Sequence, residues 1–256
     1  MGMFSNLKRT ADIEESKDVL GGAGYILETD VYEARIVTAY TDFFKSGAQF
    51  INMKYEVVRP DGSTQNFNER YTITNKAGNI YYMGKDGKKH VLPGYELMDD
   101  ICLLASGKTL AEQDTEKKVL QLWNGAEGKE MPTEVDCLTD LFGTKVLLAI
   151  QKVHRNKQVA DASGKYIDSK DEQNLNETRK AFDAEYRTTV PEMRAAERNG
   201  VAPEPQFIDK WLAKNKGVTL DLYKEVAGGA VPAGFSGSTG SAAPQSAQQR
   251  VFGRRA

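Results

Sequence analysis

Gly107-Lys108-Thr109 has the ending of a phosphate-binding loop. Such a loop wraps phosphates with backbone N–H groups only when a glycine also stands five positions before the one preceding the lysine. Cys102 occupies that place, and the tripeptide follows a helical stretch where the motif should follow a strand. A zinc site would need clustered Cys and His. Cys102, Cys137, His90 and His154 are the only candidates, with no Cys-x-x-Cys pair, and they read as two buried thiols and two surface imidazoles. Asp99 and Asp100 are adjacent, which on a helix turns them about 100° apart, so they read as solvated surface. No nucleophile-elbow pattern is present. The sequence therefore predicts no enzyme, no metal site and no cofactor.

Cationic and aromatic side chains interleave more tellingly. Single-strand nucleic-acid binders track phosphates with Lys and Arg and stack bases on aromatic faces, at about 1–3 kcal/mol per base. Phe43, Phe44 and Lys45 fall between two expected strands, and Phe50 and Lys54 share one face of the second. Arg70 follows on a third strand. Tyr81, Tyr82, Lys85, Lys88 and Lys89 mark a hairpin, and Lys145, Lys152, Arg155 and Lys157 lie on or just after a late strand. Between residues 76 and 89, four lysines face Asp86 alone. Strand aromatics are commonly core, because β-propensity places them there anyway. Tyr55, Tyr71 and Trp123 are assigned to the core or its edge on that ground. Phe43, Phe44, Phe50, Tyr81 and Tyr82, in loops, at strand ends or on a polar face, are the stacking candidates.

The elements that must position these residues show in the hydrophobic period. Tyr32, Ala34 and Ile36 alternate with Glu33 and Arg35, a half-buried strand. Ile51, Met53, Tyr55 and Val57 alternate with Phe50, Asn52, Lys54 and Glu56. After the turn Arg59-Pro60-Asp61-Gly62, residues Phe67, Glu69, Tyr71 and Ile73 repeat the pattern. Asp86-Gly87 predicts a hairpin between Tyr81–Met83 and His90–Leu92. Leu97, Met98, Ile101, Cys102 and Ala105 then form one apolar stripe, a helix that Gly107 can end. Two more strands are expected around Val119–Trp123 and Lys145–Val153, the second apolar on both faces and so central. Three strands, a helix and two strands is the order of the OB-fold, a five-stranded, partly open barrel, although SH3-like barrels also have five strands. The polar segment 156–187 has no clear assignment. A short helix is expected between Pro191 and Asn199-Gly200, and another over Phe207, Ile208, Trp211 and Leu212, closed by Gly217.

The whole chain has 256 residues, 40% hydrophobic and 27% charged, with a net charge of -2. That supports a packed core and excludes a uniformly basic nucleic-acid binder, so an anionic partner must be met by local clusters. Mean hydropathy is -0.53. No stretch approaches the roughly 20 apolar residues of a membrane span, and no secretory signal is visible. Two cysteines make no disulfide framework, so a cytoplasmic setting is expected. The expected organisation is an N-terminal arm over 1–24, an OB-fold domain with a helical extension over 25–217, and a flexible tail over 218–256. Residues 228–249 read as a disordered Gly-, Ala-, Ser- and Pro-rich linker. Beyond Glu225 the chain has no acid and three arginines, Arg250, Arg254 and Arg255.

The strand-loop-strand from Tyr32 to Val58, with Lys45-Ser46-Gly47 between the strands, resembles the single-stranded DNA-binding proteins of phages. So do Pro93-Gly94-Tyr95 at the helix start and Lys210-Trp211-Leu212-Ala213-Lys214-Asn215-Lys216-Gly217 near the end. The likeness is greatest to those of podophages that package a virion RNA polymerase. The resemblance implies an OB-fold protein that coats single-stranded DNA during replication and recombination, without sequence preference or turnover. It also implies help to late transcription through contact of the C-terminal end with host RNA polymerase, at the positions of Arg250, Arg254 and Arg255. The basic tail departs from the acidic, partner-recruiting tail of many single-strand binders. A different class of function remains beside this one: a protein-interaction adaptor or transcription coactivator with an OB-like body and no DNA binding of its own, acting through the helix near Trp211 and the tail.

Overall fold

The computed structural model describes residues 26–160 and 166–226. In chain order the elements are β1 (Asp30–Phe43), β2 (Gln49–Val58), β3 (Thr64–Thr72), β4 (Tyr81–Met83), β5 (Lys89–Val91), α1 (Pro93–Ser106), β6 (Glu116–Asn124) and β7 (Lys129–Cys137). There follow β8 (Lys145–Ala160), β9 (Tyr166–Phe182), α2 (Val190–Asn199), α3 (Phe207–Asn215) and β10 (Leu220–Asp221). The chain is mainly β with a minority of helix. Its principal sheet runs β3-β2-β1-β8-β9 and is antiparallel throughout that path. The short β10 pairs with β8 in parallel at Val153 and His154, and the β6–β7 hairpin joins the other end of β1 at Tyr40 and Thr41.

Alternation dictates the core. Ala34, Ile36, Ile51, Met53, Tyr55, Val57, Phe67 and Tyr71 turn to one face and are buried there with Val146, Leu148 and Ile150 of β8. α1 covers that face with the expected stripe, Leu97, Met98, Ile101 and Cys102. Gly107 ends the helix in the left-handed region (φ 73), its N–H bonding to the Leu103 carbonyl. Gly94 lets the helix start press on β3, because a Cβ there would stand 2.4 Å from the Thr72 carbonyl oxygen. The other face of β8 is apolar as expected. Ala149 packs with Phe182, Ile208 and Trp211 in a second cluster under α3.

The sheet coils without closing. Among the described residues no backbone ladder joins the end strands β3 and β9. Their contact is a side-chain bridge, in which the Glu69 carboxylate accepts from the Thr178 backbone N–H (3.1 Å), the Thr178 hydroxyl and the Tyr71 hydroxyl (2.8 Å). Lys180 of β9 pairs with Asp100 of α1 on the same side.

Several expectations differ from this architecture. The single strand expected around Val119–Trp123 is one arm of the β6–β7 ribbon, rooted on the sheet only at its base. Trp123, assigned above to the core or its edge, is 63% exposed for that reason, whereas Tyr55 and Tyr71 are buried. The unassigned polar segment is largely β9, paired along the length of β8. It needs no apolar alternation because much of it is solvated on both faces, and its side chains hold neighbouring backbone. Asn176 accepts from the Leu27 N–H (2.8 Å) and donates to the Leu27 carbonyl (2.7 Å), standing in for a ladder rung. Asn156 does the same for Lys224. Residues 218–224 therefore lie on β8, although a flexible tail was expected from 218.

Candidate nucleic-acid interface

A β-bulge in β1 builds the site. The register slips between Ile36 and Thr38, so the inward set changes from even to odd positions. Ala39 and Thr41 then face the core side, while Tyr40 and Asp42 turn to the outer face, opposite Asn52 and Phe50 of β2. Asn52 and Phe50 in turn face Arg70 and Thr72 of β3.

Arg70 lies over the Phe50 ring (4.2 Å to the centroid) and also approaches Phe44 (5.5 Å). The two rings are tilted 50° to each other with centroids 4.3 Å apart. The Arg70 Nε donates to the Asn52 side-chain oxygen at 3.1 Å. Burial lowers the guanidinium's proton affinity, and nearby Tyr40 and Asp42 partly offset that. Among the described residues Arg70 has no ion pair within 4 Å. Phe50 is on the polar face as expected, yet only 3% exposed, because Phe44 and Arg70 cover it. It supports the platform from beneath. Phe43 is 61% exposed, and Lys45 and Lys54 are exposed without ion-pair partners among the described residues.

The β1–β2 loop is continuous with the β4–β5 hairpin. The Gln49 N–H bonds to the Thr74 hydroxyl and the Thr74 N–H to the Gln49 carbonyl. Asn75 then donates its side-chain amide to the Tyr81 carbonyl at 3.0 Å. Gly47, at φ 86, makes the tight turn that brings the loop to within van der Waals reach of the Lys76 backbone. On the hairpin, Tyr82 is 39% exposed and stacks on His90 at 5.5 Å. Lys89 lies over the Tyr81 ring at 4.4 Å, so that ring is already engaged. Asp86 is held to His90 (3.1 Å), leaving Lys85 and Lys88 without ion-pair partners among the described residues. Lys54 and Arg70, with Phe44 against Arg70, thus lie on the outer face, and Phe43, Lys45, Lys76, Tyr82, Lys85 and Lys88 belong to the strand end, loop and hairpin at one end of the sheet, Phe43 in the odd-numbered set opposite Gln49.

Lys152 and Arg155 are not part of it. β8 runs antiparallel to β1 with Ile150 opposite Asp30, so both lie past the far end of β1. Measured along β1 that is roughly 40 Å from Phe43, at ~3.3 Å per residue. Lys152 pairs with Glu28 at 2.7 Å. Arg155 is buried and pairs with Glu177 at 3.2 Å, the reverse of the open phosphate contact expected of it. Both read as cationic from the sequence because their acidic partners are remote in the chain. Tyr40 belongs to the site and escaped the sequence reading, since alternation without the bulge points it inward. The partner-binding candidates Arg250, Arg254 and Arg255 lie outside the described residues. Trp211, the expected adaptor contact, is 9% exposed and packed on β8.

Of the remaining chemistry candidates, Lys108 pairs with Asp140 at 2.6 Å. Both cysteines are buried, and burial pushes the Cys102 thiol up to about 12. Among the described residues no helix is long and apolar enough to cross a membrane. Comparison with known protein families and with curated proteins returned no match.

Proposed function

We propose that this protein binds single-stranded DNA without sequence preference, on an OB-like body. The observation that carries the reading is a coincidence of types at one end of the sheet. The Arg70–Phe44–Phe50 stack and the exposed Phe43 and Tyr82 rings lie near Lys45, Lys54, Lys76, Lys85 and Lys88, none of which has a carboxylate partner among the described residues. Flat faces would receive bases and ammonium groups would receive phosphates, a sequence-tolerant combination. The OB-like reading is supported by the helix after the third strand and by the Glu69 bridge between the end strands. By the resemblance noted for the sequence, the biological setting is the host cytoplasm during phage replication and recombination. The terminal arginines would serve replication proteins or host RNA polymerase in late transcription.

The test is titration of the full chain with a long oligothymidine at low salt, followed by intrinsic fluorescence. Saturable binding that competing duplex displaces poorly is expected. No binding, or equal affinity for duplex, overturns the proposal.

A further inference from the structure

The β6–β7 ribbon presents an unpartnered face. Lys117, Val119, Gln121 and Trp123 share it with Asp136, Glu134, Pro132 and Glu130, which lie opposite them. Val119 is 64% exposed and Trp123 63%. Lys117 is taken by Glu134 at 2.8 Å. Glu130, opposite Trp123, and Glu127 in the turn have no ion-pair partner among the described residues. From Glu112 to Asp136 seven acids stand against three lysines. An indole beside unpaired carboxylates repels a phosphate backbone and suits a peptide with guanidinium and apolar groups together. Arginine gains both a cation–π contact and an ion pair there.

This chain carries such a peptide. Arg250-Val251-Phe252-Gly253-Arg254-Arg255 has three guanidinium groups, a valine and a phenylalanine, with no acid nearby. Residues 227–249, which separate it from the described chain, span at most about 80 Å when extended, at ~3.4 Å per residue. The last described residues lie on β8 by Asn156, and the ribbon leaves β1 at Tyr40. With Ile150 opposite Asp30, those points are roughly 50 Å apart along the strands, and Trp123 lies roughly 23 Å further out along the ribbon, a strand path of about 75 Å that is just inside that limit.

We propose that residues 250–256 dock in the same chain onto the Val119–Trp123 face of the ribbon. Phe252 covers the apolar strip, and the arginines pair with Glu127, Glu130 and Trp123. Docking makes the basic peptide a regulated element, hidden from partners until something displaces it. The inference does not rest on DNA binding, and its test contains no nucleic acid.

The experiment places a nitroxide on the full chain through Ala256→Cys. Cys102 and Cys137 are buried and leave the new thiol as the reactive one. Indole N–H resonances are then recorded, Trp123 being assigned by Trp123→Phe at its exposed site. The expected result is loss of more than half the Trp123 signal with Trp211 retained, and recovery in Glu127→Gln/Glu130→Gln/Glu134→Gln or in about 0.5 M salt, where the Debye length is only a few Å. An unchanged Trp123 signal, or broadening that persists in the triple variant, overturns the proposal. So does broadening that appears only when labelled and isotope-enriched copies are mixed.

Discussion

Arg70 joins most of the candidate interface, since it covers Phe50, approaches Phe44 and bonds Asn52. Arg70→Ala removes a cation and leaves the Phe50 ring covered by Phe44 alone. Affinity for oligothymidine is expected to fall about tenfold, near 1.4 kcal/mol. Lys152→Ala, at the far end of the sheet, should change it less than about twofold, and fluorescence titration of both variants checks the pair. Glu69 carries a different prediction. Desolvation raises its carboxyl above the usual value of 4.5, against the pull of the Thr178 and Tyr71 hydrogen bonds. Between 4.5 and that raised value the folded state holds more protons than the unfolded one, so stability falls as pH rises through the window. Glu69→Gln should flatten that slope, as read by urea midpoints from pH 4.5 to 7. At this scale Lys54 and Arg70 were legible as polar-face residues from alternation, and Phe43, Phe44 and Lys45 as a loop group from residue type, although Phe43 is the last residue of β1. The cover over Phe50 and the outward turn of Tyr40 were not, because a one-residue bulge leaves no mark in composition.

Elements meet where small residues or hydrogen bonds allow it. The start of α1 touches β3 through Gly94, so Gly94→Ala must shift the helix or the strand. A cost of about 1–3 kcal/mol is expected, typical of overpacking, and thermal or urea unfolding measures it. The C-terminal segment is fastened by His154, whose ring meets Glu172 at 3.2 Å and Asp221 at 3.1 Å. The Glu172 hydrogen bond, aided by that of Asp221, raises the imidazole above its usual 6.5. That contribution is complete below 6.5 and is lost as pH rises through the raised value. The Leu222 amide, bonded to the His154 carbonyl, should exchange faster over that rise after correction for intrinsic rate, and His154→Gln should abolish the excess. Strands with one buried face, the α1 stripe and both late helices were readable from period and capping signals. β9 and β7 were not, because strands wet on both faces carry no period-2 apolar signal.

For the molecule as a whole, a net charge of -2 coexists with a basic end and an acidic ribbon. Single-strand binding should therefore depend on local phosphate contacts. Five lysines, each neutralising one phosphate, give a slope of log affinity against log salt near -3.5, at ~0.7 per contact. A slope near zero would show that the lysines are bystanders. One consequence concerns how the protein can be shortened. β8 is roofed on one side by α1 and floored on the other by α3, through Ile208 and Trp211 against Ala149 and Phe182. A fragment cut before residue 207, though it would keep the entire proposed DNA-contacting face, would strip that floor and leave a greasy underside in water. Such a minimal version should precipitate, so a trimmed form meant for crystallisation has to retain the chain through Asn215.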